Sequence, residues 1–140
     1  MNCRSIFAGF LLLILSSFSI QAQNINDTRL LWQPAISKNL IAFIYAEDLW
    51  VANKDGSYPR RLTVSEGSES NPVFSPDGSM IAFTGQYDGN TDVFIVPVTG
   101  GVPKRLTWHP GADLVRDFSP DGKKILFASQ RNSFTNRYFQ

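Results

Sequence analysis

The residues best suited to chemistry in this 140-residue chain are one histidine, two aspartates in matching turns and a short acidic run. His109 is the only histidine. A hydrolytic triad needs such a base within hydrogen-bond reach of a nucleophile. His109 instead lies in Thr107-Trp108-His109-Pro110, and no Gly-x-Ser-x-Gly elbow occurs anywhere in the chain. It reads as a connector residue packed in a loop or at a rim. Asp77 and Asp121 recur in Ser-Pro-Asp-Gly. Paired carboxylates can do acid–base work, but aspartate at this place bonds backbone amides two residues on, and the turn accounts for both. Asp88-Gly89-Asn90-Thr91-Asp92 opens like a calcium-binding loop. That loop next needs a glycine and later a glutamate, where Val93 and Thr99 stand, so an exposed hairpin loop is expected. Gly100-Gly101 precedes no helical stretch and is not a phosphate cradle. Trp32, Trp50 and Trp108 could line a ligand channel, though packing between sheets is their commoner use. With one histidine and, after removal of the segment holding Cys3, no cysteine, no zinc site is expected. No catalytic, cofactor-binding or metal-binding residue is therefore assigned, and no cofactor is expected.

The elements that would position these residues repeat. Ser75-Pro76-Asp77-Gly78 returns as Ser119-Pro120-Asp121-Gly122, a shift of 44 residues. Apolar runs follow each: Met80-Ile81-Ala82-Phe83-Thr84 and Lys124-Ile125-Leu126-Phe127-Ala128. Asp48-Leu49-Trp50-Val51 matches Asp92-Val93-Phe94-Ile95, and Arg61-Leu62-Thr63 matches Arg105-Leu106-Thr107, each again 44 apart. A worn copy, Pro34-Ala35-Ile36-Ser37 then Leu40-Ile41-Ala42-Phe43, has lost two residues of its turn.

Each copy reads as four short strands. In the second copy these are Asn71 to Ser75, Met80 to Thr84, Asp92 to Val98 and Pro103 to Thr107, with Gly85 to Thr91 as a polar loop. Lys104 and Arg105 on the last strand would face water and discourage edge pairing. Four strands per 40-odd residues, recurring in order, predict an all-β chain: an incomplete β-propeller of four-stranded antiparallel blades. A β-sandwich is the rival, but it does not require the same phrases to recur. Blades are expected at about 30–63 and 70–107, with a third, from 114, unfinished at 140. Two and a half blades cannot close a ring of 4–8. The expectation is a fragment, a truncated reading frame or part of an oligomer that completes the ring, the last disfavoured because the sequence stops within a blade.

Composition narrows the partners. Hydrophobic residues make up 43% and charged residues 18%, enough for a packed core, and net charge is +1. No basic stripe points to nucleic acid or to an anionic membrane. Arg4, the apolar run from Ile6 to Phe18 and Ile20-Gln21-Ala22 read as a signal peptide over residues 1–22, cleaved after Ala22. A membrane anchor is the alternative, and the run is short for one. The mature part, 23–140, would hold 12 basic and 12 acidic residues, no cysteine, and an exported location, periplasmic or extracellular.

The repeats resemble the N-terminal β-propeller of tricorn-type serine peptidases and their secreted bacterial relatives. The phrases that carry this are Leu31 to Phe43, Asp48-Leu49-Trp50-Val51, Phe74 to Gly78, Val96 to Gly101, Lys104 to Pro110 and Phe118 to Phe127. The turn phrases alone also occur in TolB-like propellers and in those of prolyl-oligopeptidase-like enzymes. The resemblance implies a propeller that gates or guides peptides to a serine-peptidase domain lying beyond residue 140. It also implies peptides or proteins as substrates, and a homo-oligomer formed through the parent protein. Whether the chain belongs to an enzyme is left open, since this segment lacks the catalytic domain. A TolB-like periplasmic binding or scaffold propeller is the alternative.

Overall fold

A computed structural model describes residues 31–131. The expected signal segment and the expected opening of a third strand near 137–140 lie outside the described residues. Ten strands form three antiparallel sheets, with no helix among the described residues. Sheet one runs β1 (Leu31–Ile36), β2 (Leu40–Tyr45), β3 (Asp48–Asn53) and β4 (Arg60–Arg61), adjacent in that order. Sheet two repeats it with β5 (Glu69–Phe74), β6 (Met80–Tyr87), β7 (Asn90–Pro97) and β8 (Lys104–Arg105). Sheet three pairs β9 (Asp113–Phe118) with β10 (Ile125–Ser129).

A serine sets the first hairpin of every sheet. The Ser75 amide donates to the Met80 carbonyl at 2.9 Å, and the Met80 amide donates back to Ser75 Oγ at 3.0 Å. Ser119 does the same with Lys124, and Ser37 with Leu40 across the shorter turn. Gly78 takes φ +72°, the left-handed conformation that the turn demands. The second hairpin differs from the sequence expectation. Residues 85–91 are not a loop: β6 continues to Tyr87, β7 starts at Asn90, and only Asp88-Gly89 turn the chain. Both have positive φ, 52° and 77°, the two-residue turn whose twist matches paired strands. Gly85 sits inside β6 because a Cβ there would lie 2.9 Å from the Phe94 ring. The fourth strands are also shorter than expected, two residues each.

Strand alternation gives each sheet two apolar flanks. Ala42, Ile44, Leu49 and Val51 of sheet one meet Ile81, Phe83, Phe94 and Val96 of sheet two in one buried cluster. From the other flank of sheet two, Ala82 and Val93 meet Val115, with Ile125 and Phe127 packed alongside. The first strands follow one another at short range, β1 by β5 and β5 by β9. β5 also lies on β2 and β3, and β9 on β6 and β7. The sheets thus stack as successive blades with first strands innermost and β4 and β8 at the outer edge. This is an all-β, incomplete propeller of four-stranded antiparallel blades, not a sandwich.

Phe83 is fully buried between sheets one and two. Phe83→Ala should destabilise the whole chain by about 4 kcal/mol in urea denaturation, the usual loss for emptying a buried aromatic site. A change below about 1 kcal/mol would mean that the two sheets do not share this core.

Candidate binding surface and the seams that position it

Polar side chains cross each seam between sheets, and they decide how the inner surfaces are held. At the first seam Glu69, fully buried at the start of β5, reaches back to sheet one. Its Oε2 accepts from the Leu49 amide at 2.6 Å and from Thr63 Oγ1 at 2.5 Å, and its Oε1 accepts from the Tyr87 hydroxyl. Burial pushes the Glu69 carboxyl above its ordinary range, against the opposing effect of these donors, and the nearby Asp48 charge adds to the rise. Burial also raises the Tyr87 hydroxyl. Asp48 itself pairs with Arg61 at 2.8 Å, and Arg61 Nε donates to the Thr63 carbonyl.

The second sheet repeats part of this set 44 residues on. Asp92 pairs with Arg105, whose Nε donates to the Thr107 carbonyl, and the Val93 amide donates to Thr107 Oγ1. Thr107 Oγ1 then donates to Asp92 in its own sheet, at 3.0 Å. Asp113, the counterpart of Glu69, is fully buried and is held by Ser129 Oγ at 2.5 Å and Arg131 at 2.6 Å. Arg131 stands where Tyr87 stands in sheet two and also lies over the Phe127 ring. A further cross-seam bond caps β5 and β9: Asn71 N–H donates to Gln33 Oε1, and Val115 N–H to Thr84 Oγ1.

Two grooves open where the first hairpins of neighbouring sheets meet. One, about 400 Å³, lies between Ile36, Ser37 and Lys38 and Phe74, Pro76 and Asp77. The next, about 240 Å³, lies between Pro76, Asp77 and Met80 and Phe118, Pro120 and Asp121. Each is lined by both apolar and polar side chains. A third, apolar groove of about 370 Å³ lies on the far flank of sheet one, around Trp32, Pro34, Ile41 and Phe43. It is the counterpart of the Ile81 and Phe83 flank that sheet two buries against sheet one.

The family profile described as the tricorn protease N-terminal beta propeller domain matches residues 28–140. The chain belongs to the tricorn N-terminal β-propeller family. Tricorn protease homolog 1 of Streptomyces coelicolor is 36% identical over 59 residues, covering 42% of this chain and 6% of that protein. A TolB homolog of Chlorobium luteolum is 38% identical over 56 residues, covering 40% of this chain and 13% of its own length. The crystal structure of the tricorn protease superposes with a TM-score of 0.66 at 25% identity, over 74% of this chain and 11% of that one. The tricorn-type propeller described here thus spans a small part of each of these proteins.

Within this tricorn-type propeller the residues singled out from sequence are dispersed. His109 is half-buried in the connector after β8, its Nδ1 accepting from the Gly111 amide at 2.9 Å and its carbonyl from Asn90. Asp77 and Asp121 cap their own turns. The Ser75 hydroxyl, with the Ser79 amide and hydroxyl, holds Asp77 down to about 2, and Ser119 with the Lys123 amide lowers Asp121. The Asp88–Asp92 run divides: Asp88 and Gly89 form an exposed turn, while Asp92 is buried in the Arg105 ion pair rather than exposed. Arg105 therefore holds Asp92 of β7 and the connector after β8 rather than standing free at the edge. Trp32 and Trp108 are 47% and 67% exposed, so neither packs between described sheets, and Trp50 sits edge-on to Tyr45. Glu69 and Asp113 were not singled out from sequence. Their 44-residue spacing, shared by Tyr87 and Arg131, was the available signal.

Two measurements check these seams. Glu69→Ala should cost about 3 kcal/mol in urea unfolding, because it leaves the buried Thr63 hydroxyl without its acceptor and the Leu49 amide with Thr63 Oγ1 alone. Arg61→Ala, on an exposed ion pair, should cost less than about 1 kcal/mol, and equal losses would contradict this account. Asp77 should titrate at about 2 by carboxyl NMR. Its pKa is depressed, so its stabilisation is present above the ordinary 3.8 and disappears as pH falls through about 2. Ser75→Ala should return the midpoint towards 3.8.

Proposed function

We propose that this chain is the N-terminal propeller of an exported tricorn-type serine peptidase and serves peptide access rather than catalysis. The observation that carries the reading is the tricorn propeller match over residues 28–140, on a chain whose His109 lies in a connector bonded to its own backbone. The innermost strands β1, β5 and β9 and the two hairpin grooves would form the wall and lip past which unfolded peptide travels. Residues 1–22 would be removed on export, leaving a propeller region from residue 23, in the periplasm or outside the cell. Its near-neutral charge supports peptides or proteins, rather than nucleic acid or membrane, as partners. Homo-oligomerisation would run through the parent peptidase. A second reading, a TolB-like binding or scaffold propeller, is supported by the 38% identity to the Chlorobium luteolum TolB homolog.

The test uses the gene's full product. The mature N-terminus should be Gln23, and peptide hydrolysis should be blocked by a serine-directed fluorophosphonate. Arg116 is exposed on the innermost strand β9. Arg116→Trp should lower kcat/KM for long unfolded peptides by about tenfold while leaving a tripeptide unaffected. Equal loss on both lengths would remove the access role. Tight binding of a folded protein with no hydrolysis would favour the scaffold reading.

A further inference from the structure

Among the described residues, Glu69 is the buried acid that has no cation beside it. Asp92 has Arg105 and Asp113 has Arg131, each within ion-pair distance. Glu69 has only neutral donors: the Leu49 amide, the Thr63 hydroxyl and the Tyr87 hydroxyl. Arg61 of the same cluster is committed to Asp48 and to the Thr63 carbonyl. The other ionisable groups around Glu69 are anionic or weakly acidic: Asp48 on β3, the exposed Glu47 whose carbonyl accepts the Glu69 amide, and Tyr87 on β6. A buried carboxylate without a countercharge is held at a penalty that protonation removes.

The geometry has room for that proton. Oε2 carries both bonds that cross to sheet one, while Oε1 meets only Tyr87 within sheet two. A tyrosine hydroxyl can accept as well as donate. A proton on Oε1 can therefore be given to the Tyr87 oxygen, the Tyr87 O–H turning away from Glu69, without breaking either cross-seam bond.

We infer that Glu69 is a proton-binding lock of the first seam, tightening the hold of sheet two on sheet one when protonated and loosening it when ionised. The direction follows from linkage. Burial places the folded pKa above the ordinary 4.5, so the stabilisation is complete below 4.5 and is lost as pH rises through the folded value. Asp55, Asp77 and Asp121 are shifted downward, so they stay ionised across that window and do not mimic the effect.

The experiment is native-state hydrogen exchange of the Leu49 amide in the whole chain, corrected for intrinsic exchange, from the ordinary carboxylate range up to mildly alkaline pH. Protection should fall as pH rises in the wild type, and that dependence should be lost in Glu69→Gln. The same slope in both proteins would overturn the lock. If Glu69→Gln fails to fold, a carbon-detected titration of Glu69 in the wild type decides: a midpoint above 4.5 supports the inference, and one at or below 4.5 overturns it. Tyr87→Arg places beside Glu69 the cation that Arg131 gives Asp113. It should move the midpoint down, and an unmoved midpoint would refute the missing cation as the cause.

Discussion

A sheet that is apolar on both flanks cannot remain single in water, and the rest of this structure follows from that. Ile81 and Phe83 point one way from β6, Ala82 and Thr84 the other, and each set is buried against a different neighbour. At roughly 25 cal/mol per Å² of apolar surface, such contact is the main force joining sheet to sheet. Side-by-side stacking satisfies both flanks of a middle sheet at once. It also draws the first strands together, and the two hairpin grooves lie where their ends meet.

Apolar contact alone does not fix how far one sheet slides over the next. The polar bonds at the seams do, because each has a short range and a required direction. The acid at the start of β5 bonds to the start of β3 and to the connector after β4. The caps on the Asn71 and Val115 amides locate the first strands against the sheet before. Neutral donors surround Glu69, which reaches back to sheet one, whereas Asp113 meets a guanidinium and a serine after the seam rather than across it.

Much of this was legible in the sequence. The Ser-Pro-Asp-Gly phrases, the apolar runs after them and the constant offset gave the strand order and the stacking, because turn chemistry and alternation are local properties. The second hairpin is hidden in the sequence because Gly85, Gln86, Asp88, Gly89 and Asn90 have the composition of a loop. Gly85 is there for the Phe94 ring, and Gln86 is simply the solvent side of a strand. Glu69 and Asp113 were passed over because a lone acid at the start of a strand reads as surface. Its burial depends on Leu49 and Thr63, supplied by a different repeat.

The clasp at the first seam has a consequence for how such arrays grow. Its members, from Asp48 to Tyr87, occupy fewer residues than the 44 that separate equivalent positions. They straddle two sheets, yet they fit within one period of the chain. A duplication of one period cut inside the sheets, between strands two and three, would copy a complete joint with both of its halves. A duplication cut at the sheet boundary would instead set mismatched halves together. One period of this chain thus holds both halves of the joint, although no single sheet does.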